Sequence, residues 1–209
     1  MALFITFEGG EGSGKTVHTR ALYRRLLRNN IPAVLTHEPG GTLLGEKISR
    51  WLKWSKEEEK ISPMTELLLF NASRVQLINE LILPSLKKDL VVICDRYTDS
   101  TVTYQSYARG LPQNTVEQVN RTATGGLKPD LTFLLDVPVE VGFTRKSNRK
   151  NDRFEKEDVA FHQKVREGFL ALAAKEPRRW VVIDATLPRA EVREIIWKKV
   201  NQRLTNGKK

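Results

Sequence analysis

The sequence predicts an α/β fold in one domain, 1–209: a five-stranded parallel sheet with helices on both faces. Three observations predict it. Five short apolar runs lack clean alternation, as strands buried on both faces do. Helix-period segments separate them, and strands alternating with helices argue a doubly wound arrangement. Glycines at positions 9, 10, 12 and 14 crowd the junction of the first run and first helix, in "FEGGEGSGKT" (7–16).

The first strand is read at 3–7, and the first helix at 15–29. Leu22 and Leu26 mark that helix's inner side, with Arg20, Arg24 and Arg28 recurring every fourth residue opposite. A second strand at 33–35 leads into a helix at 43–54. Ser62 as N-cap and Pro63 in the first turn open a long helix, 63–88. The remaining strands fall at 90–94, 131–135 and 180–183, and the remaining helices at 114–124, 138–147, 157–175 and 189–204. Four strands run into an acid: Glu8, Asp95, Asp136 and Asp184. Open parallel sheets bind ligands outside the carboxyl ends of their strands, so these acids mark the working edge. No internal repeat or linker divides the chain.

Bulk properties narrow the partners. The net charge of +10, from 35 basic and 25 acidic residues, suits an anionic ligand. The arginine stripe of the first helix reads as a solvated face, and no aromatic-rich basic patch points to nucleic acid. With Cys94 as the single cysteine, no internal disulfide framework is possible, which suits a reducing compartment. The sequence lacks the pattern of a signal peptide and any apolar run of spanning length. The expectation is a cytoplasmic protein with no membrane partner.

Gly9-x-x-x-x-Gly14-Lys15-Thr16 matches the phosphate-binding loop, with the required strand before it and helix after it. Bare glycines let successive N–H groups turn inward around an anion at the positive end of a helix. Gly9, Gly10, Glu11, Gly12, Ser13 and Gly14 are thus expected along the phosphates of ATP. Lys15 is expected on the β- and γ-phosphates, and the Thr16 hydroxyl on Mg2+. Asp95, at the end of "VVICD", fits the carboxylate that orients the magnesium shell, and Arg96 beside it is poised for a second phosphate.

Seven stretches in order specify the acceptor: "FEGGEGSGKT", "EPGGT" (38–42), "TELLLFNASR" (65–74), "DRYTDSTVTYQ" (95–105), "LKPDLTFLLDVP" (127–138), "DRFE" (152–155) and "IDAT" (183–186). Over essentially its whole length the chain resembles the bacterial-type thymidylate kinases. The resemblance implies ATP-dependent phosphorylation of dTMP to dTDP in a nucleoside-monophosphate-kinase fold, usually as a homodimer. It implies that Phe70 stacks on thymine and Arg74 hydrogen-bonds its O4. Their four-residue spacing independently puts them on one helix face. It further implies that Arg96 holds the dTMP phosphate, that Thr101 and Gln105 read the base, and that Tyr104 crowds a 2′-hydroxyl. Glu11 matches a carboxylate near the sugar, and Glu38 belongs to the acceptor site. Arg145 would pack on adenine, with Thr186 close by.

The basic run 145–155 gains a role as a short lid, about 145–156. Phosphoryl transfer needs positive charge over the equatorial oxygens. Human-like members carry that arginine in the phosphate loop, where this chain has Gly12; bacterial-type members supply it from the lid. Arg149 and Arg153 are the candidates, with Arg153 preferred for its place in "DRFE". The chain departs from the family pattern at His37, Ser49, Leu77 and Thr103, the first two near the acceptor phosphate. Rival readings are a kinase for another pyrimidine monophosphate, such as dUMP, and a nucleotide-dependent switch.

Overall fold

A computed structural model describes residues 2–55, 59–145 and 152–206. Its centre is a five-stranded parallel sheet of β1 (Leu3–Glu8), β2 (Ala33–His37), β3 (Val91–Asp95), β4 (Leu131–Asp136) and β5 (Trp180–Asp184). The spatial order is β2-β3-β1-β4-β5, so the chain builds outward in both directions from β1. Every residue of β1 is buried. The continuous apolar runs predicted this for the central strands. It fails at the edges: β2 is mostly half-buried, and β5 exposes Val182. An edge strand lacks a neighbour on one side, so its apolar residues are covered only in part.

Alternation along β1 assigns the two layers. Leu3, Ile5 and Phe7 pack with Leu22 and Leu26 of α1 (Lys15–Arg28) and with Val192, Ile196 and Val200 of α9 (Arg189–Asn206). On the other face Phe4 meets Leu77, Ile82 and Tyr97. Also on that face, Leu134 of β4 packs with Phe161, Val165 and Phe169 of α8 (Val159–Lys175). Arg20, Arg24 and Arg28 are exposed, as the amphipathic pattern of α1 requires.

The helices between follow their caps. Thr42 accepts from Gly45 N at 3.0 Å to start α2 (Leu43–Trp54), and Ser62 accepts from Thr65 N at 3.3 Å to start α3 (Pro63–Leu77). The helix expected to run unbroken over 63–88 contains a π-helical segment, Ile78–Ile82, before α4 (Leu83–Lys87). Pro84 has no N–H and its ring would strike the carbonyl four residues back, so the wider turn absorbs it. A helical stretch absent from the sequence reading follows β3: α5 (Thr98–Thr101) passes into a π-helical segment, Val102–Ala108. Its run of Thr and Val has no 3.6-residue apolar period, so burial against α8 and α6 (Gln113–Thr124), not local preference, holds it helical. After β4 comes α7 (Val139–Thr144), shorter than the expected 138–147, whose last residues lie outside the described ones.

Candidate active site

The carboxyl edge of β1 turns directly into the glycine loop, and close backbone approach explains its composition. A Cβ at Gly9, where φ is 142°, would lie 2.5 Å from Leu135 O. A Cβ at Gly12 would lie 2.1 Å from Gly142 O of α7, so no side chain fits there, arginine included. Lys15 is buried and its Nζ donates to Gly9 O at 3.0 Å, Gly10 O at 2.8 Å and Ser13 Oγ at 3.2 Å. The Thr16 hydroxyl donates to Asp95 Oδ2 at 2.7 Å. The register of β1 against β3 places loop and carboxylate side by side, although 79 residues separate Thr16 from Asp95. A hydroxyl beside a carboxylate is a hard oxygen pair suited to Mg2+, which keeps most of its waters and takes few protein ligands.

Beside Asp95, Arg96 adopts φ 72°, a left-handed backbone uncommon for a residue with a side chain. Its guanidinium donates to Glu11 Oε1 at 2.7 Å, to Gly9 O and Ser100 Oγ at 3.2 Å, and to the Tyr104 hydroxyl at 3.2 Å. Tyr104 in turn donates to Glu11 Oε1 at 3.1 Å. Burial and the Glu11 carboxylate push the Tyr104 phenol far above its ordinary range, so it acts as a neutral donor. Beneath this group Glu8 is fully buried, accepting from Tyr97 N at 2.8 Å and Ser100 Oγ at 2.6 Å. Burial, helped by Asp99, pushes its carboxyl up to about 8.

From Arg96 a cleft extends between α3 and the 102–108 segment. Its walls bring together the expected Glu11, Glu38, Phe70, Arg74, Arg96, Thr101, Tyr104 and Gln105. The mix of aromatic and polar groups suits a small organic ligand. Phe70 presents its ring here, 5.7 Å from that of Phe154, which also stands 6.1 Å from Tyr104.

The thymidylate kinase family model matches residues 7–196. The chain belongs to the thymidylate kinase family. It is 55% identical to the thymidylate kinase of Dehalococcoides mccartyi strain BAV1 over 98% of this chain and 96% of that protein. It is 44% identical to that of Thermomicrobium roseum over 100% of this chain and 99% of that protein. The crystal structure of thymidylate kinase from Ehrlichia chaffeensis superposes with a TM-score of 0.77 at 35% identity, covering 95% of this chain and 98% of that one. The thymidylate kinase family phosphorylates dTMP to dTDP with ATP.

Several family-based expectations change in this thymidylate kinase fold. Arg74 is almost fully buried and its donors all meet protein acceptors: Glu38 and Tyr97 O on one side, Asn71, Thr101 and Asn120 on the other. No N–H is left idle for thymine O4. Arg153, expected over the phosphates, points the other way. Its Nε donates to Leu52 O at 3.0 Å, its backbone N to Lys53 O at 3.0 Å, and its Nη2 forms an ion pair with Glu66 at 2.5 Å. Its neighbours Asp152 and Phe154, not Arg153, line the cleft. Arg149 lies outside the described residues. His37 pairs with Glu46 at 3.1 Å, half exposed at the end of β2, and does not line the cleft. Ser49, Leu77 and Thr103 are all buried.

At the end of β5, Arg145 Nη2 donates to Ala185 O at 3.0 Å, and Thr186 donates to Asp184 through both its N (2.8 Å) and its hydroxyl (2.6 Å). The two residues expected near adenine therefore meet at one strand end. Sequence reasoning missed Glu66, Lys53, Phe154 and the Arg74 acceptors Asn71 and Asn120. Glu66, Asn71 and Phe154 stood inside quoted stretches; Lys53 and Asn120 left no local signal.

Proposed function

We propose that this chain carries out the family reaction as one domain, with dTMP in the cleft between α3 and the 102–108 segment and ATP along the glycine loop. The observation that carries this is the continuity of the two sites: Arg96 and Glu11 belong to the loop and to the cleft wall at once. A phosphoryl group leaving the loop has only to pass Arg96 to reach an acceptor in the cleft. The loop N–H groups and Lys15 bind the donor phosphates, and Lys15 exchanges its loop acceptors for phosphate oxygens. Arg96, kept charged by its carboxylate and phenol neighbours, holds the acceptor phosphate in line. Phe70 stacks on the base while Thr101 and Gln105 read its edge. Tyr104 and Glu11 close the sugar end, where a ribose 2′-hydroxyl would meet the phenol. Arg74 braces Glu38 and Thr101 at the wall. It reaches O4 only if the long 3.3 Å bond to Thr101 yields.

Thr16 and Asp95 would hold Mg2+, which when bound neutralises charge between the β- and γ-phosphates. Arg145 and Thr186 flank adenine. Since Arg153 is tied to Glu66, we assign the lid charge over the transferring group to Arg149. An exposed apolar stripe on α2 and α3, with Trp51 64% and Leu68 52% exposed, supports a homodimer through that face. Among the described residues no helix is long and apolar enough to cross a membrane, and we read the enzyme as cytoplasmic.

The test is turnover with ATP on dTMP, dUMP, dCMP and UMP side by side. dTMP should give the highest kcat/KM. A preference for another acceptor, or ATP binding with no transfer, would overturn the reading.

A further inference from the structure

Among the described residues three cations line the cleft: Lys53, Arg74 and Arg96. Two of them are already matched. Arg74 is paired with Glu38 at 2.7 Å, both nearly fully buried, and Arg96 faces Glu11 at 2.7 Å. Lys53, half-buried in the last turn of α2, forms no ion pair among the described residues. Its carbonyl accepts from Arg153 N at 3.0 Å, which ties the end of α2 to the 152–157 turn.

Asp152 of that turn also lines the cleft, and its carboxylate needs no ammonium. Oδ1 accepts from Phe154 N at 2.9 Å and from Glu155 N at 3.0 Å, so backbone N–H groups hold it. Burial raises its carboxyl above the ordinary range; the Glu11 carboxylate adds to this and the Lys53 ammonium opposes it. The ammonium therefore shares a neighbourhood with Asp152 and with the carboxylate that meets Arg96. Helix geometry agrees. Buried Ser49 lies one turn earlier on α2, and helical side chains lean toward the N-terminus, so Lys53 extends over a residue too small to block it.

The charges decide what this ammonium is for. A phosphate monoester carries about −1.5 to −2 near neutral pH. Without Lys53 the lining would set the carboxylates of Glu11, Glu38 and Asp152 against Arg74 and Arg96 alone, and would repel such an anion. We infer that Lys53 is a substrate-binding residue: its ammonium supplies the second positive charge, beside Arg96, for the phosphate of the acceptor nucleotide. This rests on the reading that the cleft takes dTMP. An ammonium with no ion pair to give up makes a charge-assisted contact at little cost.

The experiment measures by calorimetry the Kd of dTMP and of thymidine, which has the same base and sugar without the phosphate. Wild type, Lys53→Met and Lys53→Arg are compared. Lys53→Met keeps the apolar stem and removes the charge; dTMP should bind about tenfold more weakly, with thymidine unchanged. Lys53→Arg keeps the charge and should stay within about threefold of wild type for both ligands. A Lys53 that only shapes the cleft would weaken both ligands by one factor in Lys53→Met, and that result overturns the proposal. So does undiminished dTMP binding in Lys53→Met, or a loss in Lys53→Arg as large as in Lys53→Met. A wild type that binds thymidine as tightly as dTMP, or binds neither, overturns the reading of the cleft, and the proposal with it.

Discussion

Lys15 Nζ rests on two carbonyls and the Ser13 hydroxyl of its own loop, acceptors that phosphate oxygens would replace under the proposed binding of ATP. Lys15→Ala removes a fixed positive charge from the transferring group, and kcat should fall by about 10²–10³ in a coupled ADP assay. Near-normal turnover would remove the loop from the mechanism. Glu8 provides a test by pH. Its folded value of about 8 exceeds the ordinary 4.5, so between those limits the unfolded chain is ionised while the folded one keeps the proton. Its contribution to stability is complete below pH 4.5 and is lost as pH rises toward 8. Urea denaturation at pH 5 and pH 8 should therefore show Glu8→Gln gaining on wild type as pH rises. Parallel pH dependence in the two proteins would count against it. Arg74 and Glu38 form an ion pair with side chains 1% and 3% exposed. Arg74→Met leaves a buried carboxylate unpaired and should cost about 3–5 kcal/mol in the same denaturation measurement.

At the scale of elements, the 152–157 turn is fastened through Arg153 to α2 and α3, and this presses Phe154 against Phe70 and Tyr104. Two substitutions separate fastening from catalysis. Arg153→Ala should loosen the aromatic wall and raise the KM for dTMP by about tenfold, with a smaller change in kcat. Arg149→Ala should lower kcat and leave the dTMP Kd in place, the pattern of a contact made in the transition state. Steady-state kinetics with calorimetric dTMP binding distinguishes the two, and reversed patterns would return the lid charge to Arg153. The packing of α7 on the loop is equally direct. A Cβ at Gly142 would stand 2.3 Å from Glu11 O, so Gly142→Ala must displace the loop backbone and should weaken ATP more than dTMP.

For the molecule as a whole, the apolar stripe along α2 and α3 is the feature a single copy leaves uncovered. Leu44 and Trp51 are seven apart on α2, as are Leu68 and Val75 on α3, so each pair shares a helix face. Wild type should sediment as a dimer, and Trp51→Glu combined with Leu68→Glu as a folded monomer. A wild-type monomer would remove this face from consideration. The stripe is continuous with the working parts, because α3 carries Phe70, Arg74 and Glu66 on its other sides.

Sequence by itself determined the glycine loop, the strand-end acids and the order of elements, because each is written in contiguous residues or a short period. The seven stretches likewise determined the family before any geometry was known. The edge strands and the helical run 98–108, with its π-helical part, were decided by tertiary packing. Their local sequences carry either an ordinary strand pattern or a β-branched run without helical period. The clearest case is the direction a side chain takes. Arg74 and Arg153 have the residue type that binds anions, and sequence assigns both to ligands. Yet Glu38 lies 36 residues from Arg74 and Asn120 lies 46, while Glu66 reaches Arg153 from another helix. A guanidinium goes to the nearest buried carboxylate, since leaving either charge unpaired in the interior is costly. Which carboxylate is nearest is decided by the folded chain alone.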